Sequence, residues 1–334
     1  MSAQGLQRSA AGKILEAFPK LRALVVGDIC LDRWCRYDPA LADISRETGI
    51  PRIAVVSTEI TPGAGGTVAN NLIALGAGKV AVLGLAGRDG FGYELEGALA
   101  ARGISTELLV RGDVPTFTYT KLIHCRTGEE DLPRVDWINA QAVPENLERE
   151  LVARLERAAP DYDVVFISDQ AETNQGGVVT AAMRNALARL GASQPHTVFW
   201  VDSRLRAAEF RRVIVKVNRA EAEAASLRAL GRVDFPALRE IVEAPLLAIT
   251  SAGEGALVVG PSGELRAPTR AIEKPVDICG AGDSFSAGAA LALKATGDPL
   301  AAAHFGNLVA SITIMKKGTG TASPSEVLAK AAEG

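Results

Sequence analysis

The chain is poor in the residues that build metal, redox and membrane proteins. Its four cysteines, Cys30, Cys35, Cys125 and Cys279, form no C-x-x-C pair, which excludes zinc ribbons and dithiol redox motifs. Scattered thiols in a chain of 334 residues fit a reducing cytosol. His124, His196 and His304 show no metal-ligand spacing. No apolar run approaches the roughly 20 residues that a membrane span needs. Near the N-terminus Arg8, Lys13, Glu16, Lys20 and Arg22 surround Ile14, Leu15 and Phe18, which reads as a short amphipathic helix and not a secretion signal. A cytoplasmic protein with no membrane contact is expected. The net charge of -3 supplies no basic field, so no nucleic-acid partner is expected. Long linkers, internal repeats and low-complexity tracts are missing. So is the G-x-x-x-x-G-K-[ST] phosphate loop. The dinucleotide fingerprint fails twice: Phe285 stands where a third glycine should follow Gly280 and Gly282, and Val68 where one should follow Gly63 and Gly65.

Apolar strand-like runs and helical patterns are abundant, and they alternate. Strands are expected at Ala23–Gly27, Lys79–Gly84, Ser105–Val110, Asp163–Ser168, Thr197–Asp202, Val213–Val217 and Leu246–Thr250. Helices are expected at Ala69–Ala77, Glu94–Arg102, Val178–Leu190, Ala220–Leu230, Ala281–Lys294 and Leu300–Met315. This rhythm predicts an α/β fold, a doubly wound and mainly parallel sheet with helices on both faces, in a single domain over 1–334. Two strand-rich stretches, at about 29–61 and 116–137, break the rhythm. They carry Pro39, Pro51 and the turn Thr127-Gly128-Glu129, and read as a small β lid at the edge of the sheet. Trp34 and Trp137 both fall in this lid, where a packing or dimer contact would use them.

The sharpest feature is Asp277-Ile278-Cys279-Gly280-Ala281-Gly282-Asp283, which runs directly into the pattern SFSAGAALALKA. Gly280 and Gly282 therefore stand at a helix start, where backbone N–H groups lack intrahelical acceptors. Small residues let an anion approach those donors, and the helix dipole favours negative charge there. A transferring phosphoryl group needs that arrangement. Asp283 in the same turn can take a proton from an attacking hydroxyl. An ordinary glycine-rich helix start explains the same residues structurally, so the motif alone does not decide.

With this motif the chain resembles the ribokinase (PfkB-type) carbohydrate kinases, whose late signature is D-T-x-G-A-G-D. The resemblance extends from about Leu24 to about Pro324, and it implies a ribokinase-like fold, ATP as phosphate donor and Mg2+. It implies that Gly280, Ala281 and Gly282 form the anion hole and that Asp283 is the base. It places a sugar-binding Asp at the end of the first strand, Asp32 by spacing, with Asp28 as the alternative. The family's sugar-contacting glycines correspond to Gly63, Gly65 and Gly66. Thr67 replaces the usual Asn, with Asn71 nearby. Asn218 and Glu221 match the family's N-x-x-E, which organises magnesium through water. Without the resemblance, the two are a helix cap and its capping-box partner. Thr250, Gly255 and Asn307 fall on the nucleotide side, and parts of the family hold a K+ ion beside the position of Asp277.

Within the family, the stretches Gly27–Trp34 and Asp43–Pro51, with Thr120-Lys121-Leu122 and Arg134-Val135-Asp136, are similar to the kinase half of bifunctional heptose enzymes. That likeness implies a heptose 7-phosphate, phosphorylated at its anomeric hydroxyl. It also points to Lys121 and Arg134 as substrate contacts, within a lid that further offers Arg33, Arg36 and Arg46. A homodimer through the lid is expected. The alternatives are a kinase of ribose, fructose or adenosine, a silent sugar sensor on the same fold, and a nicotinamide dehydrogenase, which the failed fingerprint disfavours.

Overall fold

The computed structural model describes residues 6–171, 173 and 175–333. Helix α1 (Arg8–Ala17) leads into strand β1 (Arg22–Gly27). The chain then leaves the main sheet for β2 (Ile29–Tyr37), the short pair β3 (Asp43–Ile44) and β4 (Pro51–Arg52), and β5 (Val55–Ala64). It returns through α2 (Gly65–Ala74) to β6 (Lys79–Leu83), and continues with β7 (Leu85–Gly87), α3 (Gly90–Ala100) and β8 (Val110–Gly112). A second excursion forms β9 (Thr118–His124) and β10 (Val135–Trp137). The second half runs α4 (Glu145–Ala158), β11 (Val164–Asp169), α5 (Ala181–Ser193), β12 (Val198–Ser203), β13 (Ile214–Asn218), α6 (Arg219–Leu230), α7 (Phe235–Ile241) and β14 (Leu247–Thr250). The hairpin β15 (Ala256–Gly260) and β16 (Gly263–Ala267) precedes α8 (Ala281–Thr296), α9 (Pro299–Thr313) and α10 (Pro324–Lys330).

The main sheet has eight strands in the order β16-β15-β14-β13-β12-β11-β1-β6, parallel from β14 to β6, with β15 and β16 antiparallel at one edge. Successive side chains of a strand point to opposite faces, and here each face has its own core. Ala23 and Val25 of β1 pack with α1, α2, α8 and α9, whereas Leu24 and Val26 pack with α4, α5 and α6. Strands buried on both faces must be apolar throughout, which is why they read as continuous runs.

The lid is a four-stranded sheet in the order β10-β9-β2-β5. Its position follows from the winding. The chain passes from β1 to β6 on one side, then crosses to β11 on the other, so the strand order reverses at β1. In doubly wound sheets the ligand crevice opens at such a switch point, beyond the carboxyl ends of the strands. The lid covers that end. No helix among the described residues is long and apolar enough to cross a membrane.

Three expectations need correction. Ser105–Val110 is not a strand: Ser105 makes one isolated bridge to Ala81, and the strand that follows is β8, paired with β7. Helix α2 starts at Gly65, four residues before the expected Ala69, because its glycine-led first turn is packed against β2 and lacks an apolar period to read. Helices α4, α7 and α10 and the β15–β16 hairpin were not anticipated.

Candidate active site

The cleft between lid and sheet encloses about 230 Å³ and is lined from both sides. On the lid side stand Asp32 and Trp34 of β2 with Tyr119 and Lys121 of β9. Asp32 is in register with Tyr119 and Trp34 with Lys121, so all four share one face. On the sheet side stand Thr67 of α2, Gln170 and Arg204 after β11 and β12, and Gly280 and Asp283 at the start of α8.

Helix α8 begins as its sequence predicts. Gly280 is the N-cap, with φ 76°, a left-handed conformation that favours glycine. The amides of Gly280, Gly282 and Asp283 have no acceptor among the described residues, while Ser284 N–H already bonds Gly280 O. Ala281 departs from its assigned role, because its N–H donates to Ile278 O at 3.2 Å. The free donors of the first turn are thus those of Gly282 and Asp283. Asp277 closes the loop beneath: its Oδ1 accepts the Cys279 amide at 2.9 Å and its Oδ2 the Gly318 amide at 3.0 Å.

Asp283 keeps partial access to the cleft while protein encloses its other sides. Burial pushes its carboxyl up to about 7; Asp202 adds to that rise, and Lys216 and Arg204 oppose it. Asp32 is pushed up to about 6, again by burial, against the hydrogen bond from Cys30 and the charges of Lys121 and Arg134. Gly63 explains how Asp32 keeps its place. A Cβ on Gly63 would stand 2.5 Å from Asp32 Oδ2, so the carboxylate rests on bare backbone. Gly65 and Gly66 serve packing instead, against Ile29 and Pro62, each of which a Cβ would approach to 2.6 and 2.5 Å respectively.

Asp28 and Asn71, both expected near the sugar, lie outside the cleft. Asp28 is buried, and its two oxygens accept the amides of Gln170 at 2.8 Å and Val178 at 2.7 Å, which ties β1 to the segment after β11. Burial pushes it up to about 6, with Asp169 nearby adding to the rise. Asn71 is fully buried in α2 and donates to Thr67 O at 2.9 Å, whereas Thr67 itself reaches the cleft.

Three cations of the lid, Arg33, Lys121 and Arg134, border the cleft, each with a carboxylate partner. Lys121 Nζ lies 4.5 Å from the Trp34 ring centroid and 3.5 Å from Glu130. Arg134 bonds Asp136 at 2.8 Å and lies 4.8 Å over the Tyr119 ring. Arg33 also borders the cleft, but its guanidinium bonds Glu94 of α3 at 3.1 Å over the Phe91 ring. Arg36 and Arg46 do not line the cleft.

On the nucleotide side, Asn218 and Glu221 form a reciprocal capping box at the start of α6, with bonds of 2.9 and 2.8 Å. Burial raises the Glu221 carboxyl. Thr250 ends β14, and Gly255 has φ 92° in a turn where a Cβ would strike Ala267 O. Asn307 spends its amide on Ala267 O at 2.8 Å, fixing α9 to the end of β16. Sequence reasoning missed Asp202, Arg204, Gln170 and Lys216. A signal existed for Lys216: a lone cation inside the buried strand V-I-V-K-V-N needs a partner, and Asp202 supplies it at 2.8 Å.

A helix start with free amides, a carboxyl that titrates near neutrality beside it, and a second carboxylate across a small polar cleft define a phosphotransferase acting on a hydroxylated substrate. The chain belongs to the pfkB family of carbohydrate kinases, whose match covers residues 23–326. It is 33% identical over 333 residues to the bifunctional protein HldE of Caulobacter vibrioides and 31% identical to that of Gluconacetobacter diazotrophicus, covering 96% and 94% of this chain. It spans only 65% and 64% of those relatives' lengths. Among solved structures, Thermotoga maritima ribokinase aligns with TM-score 0.69 at 19% identity, over 93% of this chain and 99% of that one. Escherichia coli phosphofructokinase-2 in complex with potassium aligns with TM-score 0.71 at 19% identity, over 94% and 99%.

Proposed function

We propose that this chain transfers the γ-phosphoryl group of ATP to the anomeric hydroxyl of a heptose 7-phosphate. The observation that carries the reading is the pairing of two chemistries in one cleft. Asp32 and Asp283 face each other across it for hydroxyl binding and deprotonation, and Lys121 and Arg134 reach it from the lid. A free sugar has no use for two cations beside its binding carboxylate; a sugar phosphate does. Arg134 suits bidentate contact with a phosphate and Lys121 acts as a point charge. The kinase half implied by the HldE relatives supports the same substrate.

In this reading Asp32 accepts hydrogen bonds from sugar hydroxyls, Asp283 takes the proton of the attacking hydroxyl, and the amides of Gly282 and Asp283 hold the phosphoryl oxygens as charge spreads over them. Gly280 gives those oxygens room. Asn218 and Glu221 can orient magnesium-bound water near the nucleotide phosphates, whose charge Mg2+ partly neutralises when bound. No cluster of three carboxylate, His or Cys ligands exists among the described residues, so the metal is expected to arrive with ATP and excess chelator should abolish turnover. Thr250, Gly255 and Asn307 frame the nucleotide end through backbone geometry. A monovalent ion near Asp277 would share its carboxylate with the amides of Cys279 and Gly318, each of which occupies one lone pair of one oxygen. The intact base and free amides disfavour a silent sensor. A second copy of the chain is the partner for the open edge of the lid.

The test is kcat/KM for heptose 7-phosphate against ribose, fructose and adenosine, in wild type and in Lys121→Ala and Arg134→Ala. Preference for the phosphorylated sugar, lost in both variants, is expected. A clear preference for an unphosphorylated substrate refutes the heptose reading and leaves the kinase family untouched.

A further inference from the structure

The ion pair between Asp202 of β12 and Lys216 of β13 has no part in substrate binding as described so far. Both side chains are buried, 9% and 6% exposed, and Nζ lies 2.8 Å from Oδ2. Taking two charges out of water is costly before pairing offsets it, and apolar residues often serve a sheet interior as well. Position gives this pair another use. Ser286 Oγ, one helical turn beyond Asp283 on α8, lies 3.4 Å from the same Asp202 oxygen. A Cβ on Gly282 would stand 2.8 Å from Lys216 Nζ, so the ammonium rests against the first turn of α8. The pair therefore abuts the helix start that carries Asp283.

The charged and titratable groups around Asp283 come from several elements. Cys30 and Asp32 face it from β2, Asp202 from β12, Arg204 from the following loop, Lys216 from β13 and Cys279 from its own loop. Asp32, Arg204 and Cys279 border the cleft, where substrate rearranges their solvation. Asp202 and Lys216 are sealed behind it. Burial alone would drive Lys216 toward the neutral amine, but Asp202 outweighs it and holds the ammonium above its ordinary range.

We propose that Asp202 and Lys216 are positioning residues of opposite effect that together set the pH at which Asp283 acts as base. The inference rests on Asp283 having that role. Lys216 alone beside the carboxylate would make it a weak base; Asp202 alone would keep it protonated. A general base works best when it titrates near the operating pH, and a fixed pair of opposed charges holds it there without contact with substrate.

The experiment is the pH profile of kcat/KM for wild type, Lys216→Gln, Lys216→Arg and Asp202→Asn, with ATP and the sugar of highest kcat/KM in the panel above. Gln can still donate to Asp202 and Asn can still accept from Lys216, which limits misfolding. The acid limb should move up by about one pH unit in Lys216→Gln and down by about one in Asp202→Asn, a tenfold change in the ionised fraction below the limb. Lys216→Arg keeps the charge and should keep the limb. If one neutral variant does not fold, the other still fixes a sign, and the doubly neutral chain should return the limb toward wild type. Limbs that stay in place, or move together, overturn the proposal. Near-normal kcat in Asp283→Asn would instead remove the base assignment, so the two failures are distinguishable.

Discussion

At the scale of single residues, Asp283 and Gly63 make the strongest claims. Replacing Asp283 by Asn removes the proton acceptor and keeps the shape, so kcat should fall by about 10²–10⁴-fold with nucleotide affinity retained. Near-normal turnover would dismiss the residue as base. The same carboxyl makes a stability prediction. Burial pushes it from the ordinary 3.8 up to about 7 in the folded chain, so the folded state binds the proton more tightly and stability falls as pH rises between those values. Asp283→Asn should therefore melt higher than wild type at pH 8, by about 1–2 kcal/mol once contact with cleft water is discounted, and alongside it below about pH 4. Equal melting at both pH values would show that burial does not strain the carboxylate. Gly63→Ala would place a methyl group 2.5 Å from Asp32 Oδ2. The carboxylate must shift, so KM for the sugar should rise at least tenfold while KM for ATP holds; an unchanged sugar KM would show that Asp32 does not bind it.

At the scale of elements, the loop leading into α8 is held by Asp277, which collects amides from both sides of the anion hole. Asp277→Ala should loosen the loop, lowering kcat and weakening nucleotide binding with little effect on KM for the sugar. Titrating nucleotide and sugar separately by calorimetry checks this, and a selective loss of sugar binding would contradict it. The α8 start was legible in sequence because its chemistry is local: two glycines, an Asp and an apolar helix in immediate succession. The sheet strands were legible because double burial leaves an unbroken apolar run. Helix α4 was equally open to such a reading, since Leu147, Leu151, Leu155 and Ala158 recur along one buried face. What sequence could not give is set by distant pairing. Asp28 and Asp32 are both plausible sugar ligands by spacing, and only the amides of Gln170 and Val178, some 140 to 150 positions away, commit Asp28 to the fold. Asp202 and Lys216 likewise meet because neighbouring parallel strands put them in register, which no local pattern encodes.

At the scale of the whole molecule, the lid sheet ends in two edge strands among the described residues, the three-residue β10 and the ten-residue β5. Strand β5 is the longer of these edges, and its outer side pairs with no strand among the described residues. Val55 and Val56 are 47% and 51% exposed there, and the adjoining Ile44, Ile50 and Ile53 are 60%, 65% and 49% exposed. Edge strands of this kind invite pairing with another chain, and natural proteins blunt or cover them. Among the outward residues between Val55 and Ile60, Glu59 alone carries a charge, so little opposes association. A second copy meeting β5 against β5 would continue the sheet and bury the apolar patch. A stable interface of this type removes about 1,200–2,000 Å² from water. The chain should therefore run as a dimer in light scattering at micromolar concentration, and Val56→Glu, which sets like charges opposite each other across the two-fold axis, should yield folded monomer. The consequence reaches the active site, because β5 also carries Gly63 beneath Asp32. Monomeric Val56→Glu should show a raised KM for sugar and an unchanged KM for ATP. A wild-type monomer, or a monomeric variant with unaltered sugar KM, would separate the lid edge from both association and catalysis.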